Sequence, residues 1–256
     1  MIRMAISGIG FFGPGATDWE AAKQIFQQGG TPPSTGETAR QFGSHLPPAE
    51  RRRASDATRL ALDVAMEALG THDPATVTSV FASSGGEIGV THGILEALCE
   101  NHPKLSPTAF HNSVHNAASG YFGIASQSRF PTDSVCALDN SFGAGLSECL
   151  TRSAQNEKNL LLVAYDLRTP YPIADFRKIT SDIAIALFFE GEQAPPLGHL
   201  NVQYDPKTAP AKGASHQGGN PLEAAYPLLR AIALGERCKI CLSAGLGGML
   251  EVEFIP

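Results

Sequence analysis

Hydrophobic positions along the first 170 residues follow two different periods in turn, which predicts strands alternating with helices. The clearest helix is SDATRLALDVAMEALG (55–70), where Leu60, Val64 and Leu69 recur on one side and Ser55 is placed to cap the first turn. NLLLVAYD (159–166) does not alternate, as is typical of a strand buried on both faces. This order predicts a layered α/β domain with a mainly parallel sheet.

The pattern changes in the rest of the chain. DIAIALFFE (182–190) and HLNVQYD (199–205) are predicted strands, and residues 205–220 are predicted to be loop. LEAAYPLLRAIALGE (222–236) is a predicted helix in which Pro227 either kinks the axis or marks the effective start. Residues 29–54 are rich in Gly, Pro, Ser and Arg without any period, and we expect a long surface loop there.

Charge and hydropathy exclude several classes of function. The chain of 256 residues has a formal net charge of -6, which argues against a nucleic-acid partner. Its longest basic run, Arg51 to Arg53, is expected to be a solvated turn. No stretch approaches the ~20 apolar residues of a membrane span. The opening MIRMAISGIGFFGPG has the pattern of a buried first strand rather than a signal peptide, so we expect a cytoplasmic protein.

Metal, redox and acyl-transfer sites are weakly supported. Cys238 and Cys241 form a C-x-x-C inside a predicted strand, where alternation points the thiols to opposite faces. His111 and His115 are four residues apart on a predicted helix but have no evident third ligand. The serines of Ser83-Ser84-Gly85-Gly86 lack the G-x-S-x-G elbow and are expected to be structural. We therefore expect no metal and no cofactor.

The segment DSVCALDNSFGAGL (133–146) has the pattern of a strand that runs into a glycine-rich helix start. Such a junction often presents a nucleophile, yet Asp139 stands at the junction here. Cys136 lies three residues earlier, where we expect it to face the sheet or an interface without the helix N-terminus that lowers a thiol pKa. A capping role at the helix start is available to Asp139.

Several stretches, in order, resemble one family. They are MAISGIGFFGPGATDWEAAKQIFQQG, LSPTAFHNSVHNAASGYFGIASQSRFPTDSVCALDNS, DIAIALFFEGEQAPP and SAGLGGMLEVEF. Together they resemble the β-ketoacyl synthases of the thiolase fold and their chain-length-factor relatives. The resemblance implies an α/β, thiolase-like layered αβαβα domain with a truncated second half. It also implies a single domain over 1–256, with a first half at 1–170 and a shortened second half at 171–256.

The departures from the family pattern concern its catalytic residues. The resemblance places Asp139 at the nucleophilic cysteine, and a carboxylate does not support thioester exchange. KGASHQGGNP resembles the stretch with the second catalytic histidine, which makes Lys212 and His216 a weak remnant. This chain is too short there to contain the segment that carries the family's first catalytic histidine. The resemblance therefore implies no catalytic residue in this chain.

The resemblance also assigns residues to the dimer interface and to the wall of the partner's acyl tunnel. We expect Val114 at the position that gates tunnel depth, with Phe110 and His115 beside it; the alternative is ordinary interface or core packing. The full set of tunnel and interface residues is Phe110, Val114, His115, Asn116, Val135, Cys136 and Leu138. The glycine-rich turn of the family corresponds to Gly245, Leu246, Gly247 and Gly248.

The implied function is that of a non-catalytic, chain-length-factor subunit. It would pair with a catalytic ketosynthase as a heterodimer in type II polyketide, aryl polyene or fatty-acid biosynthesis, and meet an acyl carrier protein through that complex. Two alternatives stay open: a divergent acyltransferase or condensing enzyme that uses a non-standard residue, and a stand-alone acyl-binding scaffold. Turnover by the purified chain would favour the first alternative, and a stable monomer the second.

Overall fold

One eight-stranded sheet runs through the computed structural model, which describes residues 1–39, 42–191, 197–208, 219–245 and 247–256. The order of neighbouring strands is β3-β2-β4-β5-β1-β6-β8-β7. The strands are β1 (Ile2–Phe12), β2 (Thr78–Ala82), β3 (Thr132–Val135), β4 (Leu160–Asp166), β5 (Ile183–Phe189), β6 (Gly198–Asp205), β7 (Cys238–Ser243) and β8 (Met249–Ile255).

Eight α-helices are present in the described residues. They are α1 (Trp19–Gln27), α2 (Pro48–Arg53), α3 (Asp56–Leu69), α4 (Ile88–Leu98), α5 (Pro107–Asn112), α6 (Ala117–Ser126), α7 (Ser141–Ala154) and α8 (Tyr226–Leu234). The helix start predicted at Ser55 is confirmed, because its side chain accepts a hydrogen bond from the backbone N–H of Thr58 at 3.0 Å. Pro227 lies in the first turn of α8, so it marks the start of that helix.

The sheet is mixed over the whole chain, but the prediction made for the first 170 residues is confirmed, because β1, β2, β3 and β4 all run in one direction. β2 is parallel to β3 and β4, while the other neighbours among the described strands are antiparallel. The loop between β4 and β5 contains no α-helix to carry the chain back across the sheet, so β5 returns antiparallel beside β4. A glycine turn likewise joins β7 and β8 as a hairpin.

Two hydrophobic clusters lie on the two faces of the sheet. One contains the apolar side of α3 with Tyr121 and Phe122 of α6, and the other contains buried residues of α1, α7 and α8. All seven residues of β4 and of β5 are buried, which confirms the prediction for 159–166. The centre of the sheet is therefore covered by helices on both faces.

The sheet curves so that α7 contacts both β4 and β7. A Cβ atom on Gly143 of α7 would lie 2.0 Å from the backbone oxygen of Ser243 in β7. Leu250, Val252 and Phe254 of β8 are buried on this inner side. On the outer side Lys239, Cys241 and Glu251 are exposed. Among the described residues, this outer side of β7 and β8 is therefore left open to solvent at these positions.

Two local expectations were wrong. The triple arginine lies in α2 rather than in an irregular loop, because Pro48 and Glu50 suit the first turn of a helix. The predicted helix with His111 and His115 is two helices, α5 and α6, separated by residues 113–116. His115 therefore is not on the helix that carries His111. No described helix is long and apolar enough to cross a membrane.

Candidate functional site

Three chain segments meet where the parallel strands end. The turn 83–87 follows β2, residues 136–140 follow β3, and the loop 167–182 follows β4. Because β2 is parallel to β3 and β4, the carboxyl ends of these three strands lie side by side at one end of the strands. This is the usual place for a site in such folds. The elbow, defined as residues 136–140, lies at the centre of this region.

The elbow has a constrained backbone. Leu138 has φ = 50°, a left-handed conformation that branched or bulky residues rarely adopt. A 3₁₀ turn follows at Leu138–Asn140 and leads directly into α7. The hydroxyl of Ser141 accepts from the backbone N–H of Ala137 at 3.1 Å and donates to the backbone oxygen of Leu138 at 2.7 Å. The sequence thus folds into the sharp strand-to-helix junction that its glycine pattern predicted.

Asp139 forms an ion pair at the elbow. Its Oδ1 lies 2.7 Å from Nη2 of Arg177, which comes from the loop between β4 and β5. Both side chains are about one quarter exposed, so the pair is partly shielded from water. Sequence reasoning missed Arg177, since nothing in a single sequence links it to a position 38 residues earlier. The pair occupies the position where the resemblance expects a nucleophile.

Cys136 is exposed, and its Sγ lies 3.7 Å from the backbone oxygen of Ser84. Its thiol therefore faces the turn after β2 and solvent. Cys238 packs against the core while Cys241 is exposed, which confirms that these two thiols point to opposite faces.

The glycine-rich turn packs against the elbow. Gly245, Gly247 and Gly248 all have positive φ angles, at 93°, 113° and 75°. A Cβ atom on Gly245 would lie 2.9 Å from Cβ of Ala137. A side chain there would displace the elbow, so this contact explains the need for glycine. Leu246 lies outside the described residues.

The turn 83–87 is held by two buried carboxylates that the sequence reasoning did not single out. Oδ1 of Asp166 accepts from the hydroxyls of Ser83 and Ser84, and burial raises the pKa of Asp166. Oε1 of Glu87 accepts from the hydroxyl of Thr58 at 2.7 Å, and burial raises the pKa of Glu87 as well. These bonds support the structural interpretation of the serines. The sequence did contain a signal for Asp166, because it is a charged residue at the end of the apolar strand NLLLVAYD.

His115 points inward. Its Nε2 lies 3.1 Å from the backbone oxygen of Ser83, which requires Nε2 to carry the proton, and its ring packs on Gly86. His111 is exposed on α5. The described residues contain no group of three ligands that could hold a metal.

The other predicted interface residues lie largely on the surface. Phe110 is 66% exposed, Val114 48% and Leu138 64%, and Asn116 is exposed too. Val135 is half-buried against the core. The structure thus places Phe110, Val114, Asn116 and Leu138 at the surface. Lys212 and His216 fall outside the described residues.

Comparison with known proteins identifies the family. The model of the β-ketoacyl synthase N-terminal domain matches residues 17–241. The chain belongs to this family. No curated protein sequence matches the chain.

Two solved structures are similar to this β-ketoacyl synthase domain over the whole length of both chains. A ketosynthase (ApeO) in complex with its chain length factor (ApeC) from Xenorhabdus doucetiae matches with a TM-score of 0.74 and 24% identity, covering 100% of both chains. The ishigamide ketosynthase/chain length factor matches with a TM-score of 0.78 and 11% identity, again over 100% of both chains. These similarities confirm the predicted ketosynthase-like, thiolase-type α/β fold.

A third similar structure contains a carrier protein. It is AntDE:AntF, described as a type II PKS acyl-carrier protein in complex with its ketosynthase bound to the hexaketide. It matches with a TM-score of 0.72 and 11% identity, covering 99% of each chain.

Proposed function

We propose that this chain is a non-catalytic, chain-length-factor subunit that pairs with a catalytic ketosynthase. The observation that carries the proposal is the ion pair of Asp139 with Arg177 at the elbow. A condensing subunit needs a thiolate at this position to accept an acyl group from a thioester. In the proposed subunit the elbow keeps its backbone, and we infer that a carboxylate paired with a guanidinium stands in place of the thiol.

The surface around the elbow supports a protein partner. Phe110, Val114, Ile124, Phe130 and Leu138 are large apolar side chains, each about half exposed or more, between α5 and the elbow. These exposed apolar side chains fall within one stretch of the chain, and exposed apolar surface of this kind marks interaction sites. We call residues 105–138, which span α5, α6, β3 and the start of the elbow, the interface segment. Val114 and Phe110 are the residues that we propose reach the partner's acyl tunnel.

The edge of the sheet points to the same partner. β3 is an outermost strand, so the backbone groups on its outer side are unpaired within the described sheet. A partner with the same fold would pair its own edge strand here. The similar structures are described as ketosynthase complexes with a chain length factor or an acyl-carrier protein. We propose the corresponding heterodimer, its encounter with an acyl carrier protein, and a cytoplasmic location.

The test combines assembly with condensation. The chain alone, a cognate ketosynthase alone and the co-expressed pair are incubated with malonyl carrier protein and an acyl primer. We expect a one-to-one complex on size exclusion and ketoacyl products from the pair, but none from the chain alone. Ketoacyl product from the chain alone would contradict the proposal and favour a divergent condensing enzyme. A chain that stays monomeric in the presence of the ketosynthase would also contradict the proposal and would favour an acyl-binding scaffold.

A further inference from the structure

Asp166 is a fully buried carboxylate at the end of β4, beneath the elbow region. Its Oδ1 accepts four hydrogen bonds, from the hydroxyl of Ser83, from the hydroxyl and backbone N–H of Ser84 and from the backbone N–H of Gly85, at 2.7–3.1 Å. Its Oδ2 is buried and makes no hydrogen bond among the described residues. One oxygen atom therefore organises three consecutive residues of the turn after β2.

The carbonyl groups of this turn point the other way, toward the interface segment. The backbone oxygen of Ser83 accepts from Nε2 of His115, and the backbone oxygen of Ser84 accepts from Sγ of Cys136. Gly86 has φ = 52°, and a Cβ atom there would lie 3.2 Å from the ring of His115. Both contacts are thus made by the turn whose hydroxyls and backbone N–H groups bind Asp166.

His115 and Cys136 each anchor an exposed residue. His115 directly follows Val114, in the break between α5 and α6, and its inward ring leaves Val114 facing outward. Cys136 lies two residues before Leu138, which is exposed in a left-handed conformation. Asp166 is therefore connected to the surface through the turn after β2 and through the contacts of that turn with His115 and Cys136.

We propose that Asp166 is a positioning residue, which fixes the turn 83–86 and through it the placement of Val114 and Leu138 on the partner-binding surface. The link from this surface to partner affinity rests on the proposed function. The effect of Asp166 on His115 and Cys136 does not, because it is measured on the chain without a partner.

The first experiment measures the alkylation rate of Cys136 by iodoacetamide in the full chain, followed by peptide mapping that separates it from Cys99 and Cys241. In the Asp166→Ala variant the turn loses its acceptor, and the Ser84 carbonyl no longer holds the thiol. We expect alkylation of Cys136 to rise several-fold and the ring signals of His115 to shift in NMR spectra. The Asp166→Asn variant keeps one acceptor oxygen and should change the rate and the signals less than Asp166→Ala does.

Glu67→Ala is the matched control. Glu67 is a partly buried carboxylate that also holds backbone N–H groups, those of Trp19 and Phe11, at 2.6 Å and 2.9 Å. Its removal should lower the melting temperature without changing Cys136 or His115. If Asp166→Ala does not fold, Ser84→Ala is the alternative variant, because it removes one of the four donors to Asp166. It should give a smaller change in the same direction.

Three outcomes would overturn the proposal. The first is an Asp166→Ala or Ser84→Ala chain whose Cys136 rate and His115 signals match those of Glu67→Ala. The second is an Asp166→Asn chain that behaves like Asp166→Ala. The third is an unchanged affinity for the ketosynthase in a variant whose turn has moved. For such a variant we expect the affinity to fall by about tenfold or more. If the parent chain forms no complex with the ketosynthase, the proposed function is contradicted. The alkylation and NMR results then decide whether Asp166 is a positioning residue.

Discussion

The two edges of the sheet differ in the side chains that surround them. The β3 edge is flanked by exposed apolar residues of the interface segment, such as Ile124 and Phe130. The β7 edge is flanked by charges, and Arg237 and Lys239 both lie within ion-pair distance of Glu253. Charged side chains protect an open strand edge from pairing with another chain. From the proposed function and this difference, we expect a partner to cover the β3 edge and the β7 edge to face water.

The largest expected effect is on association through the apolar surface. Ile124→Asp places a charge on α6, within the interface segment, and should weaken binding to the ketosynthase by about 2 kcal/mol or more, about thirtyfold. Leu197→Asp is the matched control, since both side chains are 47% exposed and Leu197 lies outside the interface segment. Isothermal titration with the ketosynthase measures both. Equal losses for the two variants would remove the distinction between the two regions.

The second prediction concerns the ion pairs that hold each edge. Arg152 of α7 pairs with Asp133 of β3 and with Glu148 and Glu157, and only 15% of its side chain is exposed. Arg152→Ala should lower the free energy of unfolding by about 1–3 kcal/mol, because three carboxylates lose their donor. Arg237, which is 65% exposed, forms a surface pair, and Arg237→Ala should cost at most about 0.5 kcal/mol. Urea denaturation compares the two, and the reverse order would contradict this account.

The third prediction separates the strain of the elbow from its contacts. Leu138→Gly removes the penalty of a left-handed φ and should stabilise the isolated chain by up to about 1 kcal/mol. The same change deletes an exposed apolar side chain and should weaken the complex. Thermal melts of the chain alone and titrations with the ketosynthase should therefore move in opposite directions. Gly70→Ala, which places a side chain at another positive φ outside the interface segment, should destabilise the chain without affecting the complex.

The smallest expected effect lies at the β7 edge. Hydrogen bonding to Arg237 lowers the pKa of Glu253. A carboxylate with a lowered folded-state pKa contributes stability above its unfolded pKa, and this contribution is lost as the pH falls through the lowered value. A carbon-13 titration should therefore give Glu253 a midpoint below that of an ordinary glutamate. In Arg237→Ala the midpoint should move upward, and an unmoved midpoint would show that Arg237 does not cause the shift.

Local chemistry made much of the fold predictable. Ser55 precedes an amphipathic run and caps α3, and the uninterrupted apolar run at 159–166 is a buried strand. The glycines near the end of the chain form the turn that was expected, at positive φ angles that glycine tolerates best. Each of these features depends on residues close together in the sequence, so a single sequence suffices to identify it.

The contacts that define the candidate site were not predictable in this way. The pairing of Asp139 with Arg177, and the bonds from Asp166 to the turn after β2, join segments that are distant along the chain. The break between α5 and α6 was also missed, because His115 is drawn inward by a backbone oxygen that no local pattern reveals. The sequence predicted the elbow, and the structure supplied the contacts that surround it.

The most direct test of the central claim is hydrogen–deuterium exchange of the chain with and without the ketosynthase. We expect amides of β3 at Thr132–Val135 and of α5 and α6 to become protected in the complex, while those of β7 at Cys238–Ser243 exchange at an unchanged rate. Protection of β7 with no change at β3 would contradict the claim that the apolar edge is the one a catalytic partner covers.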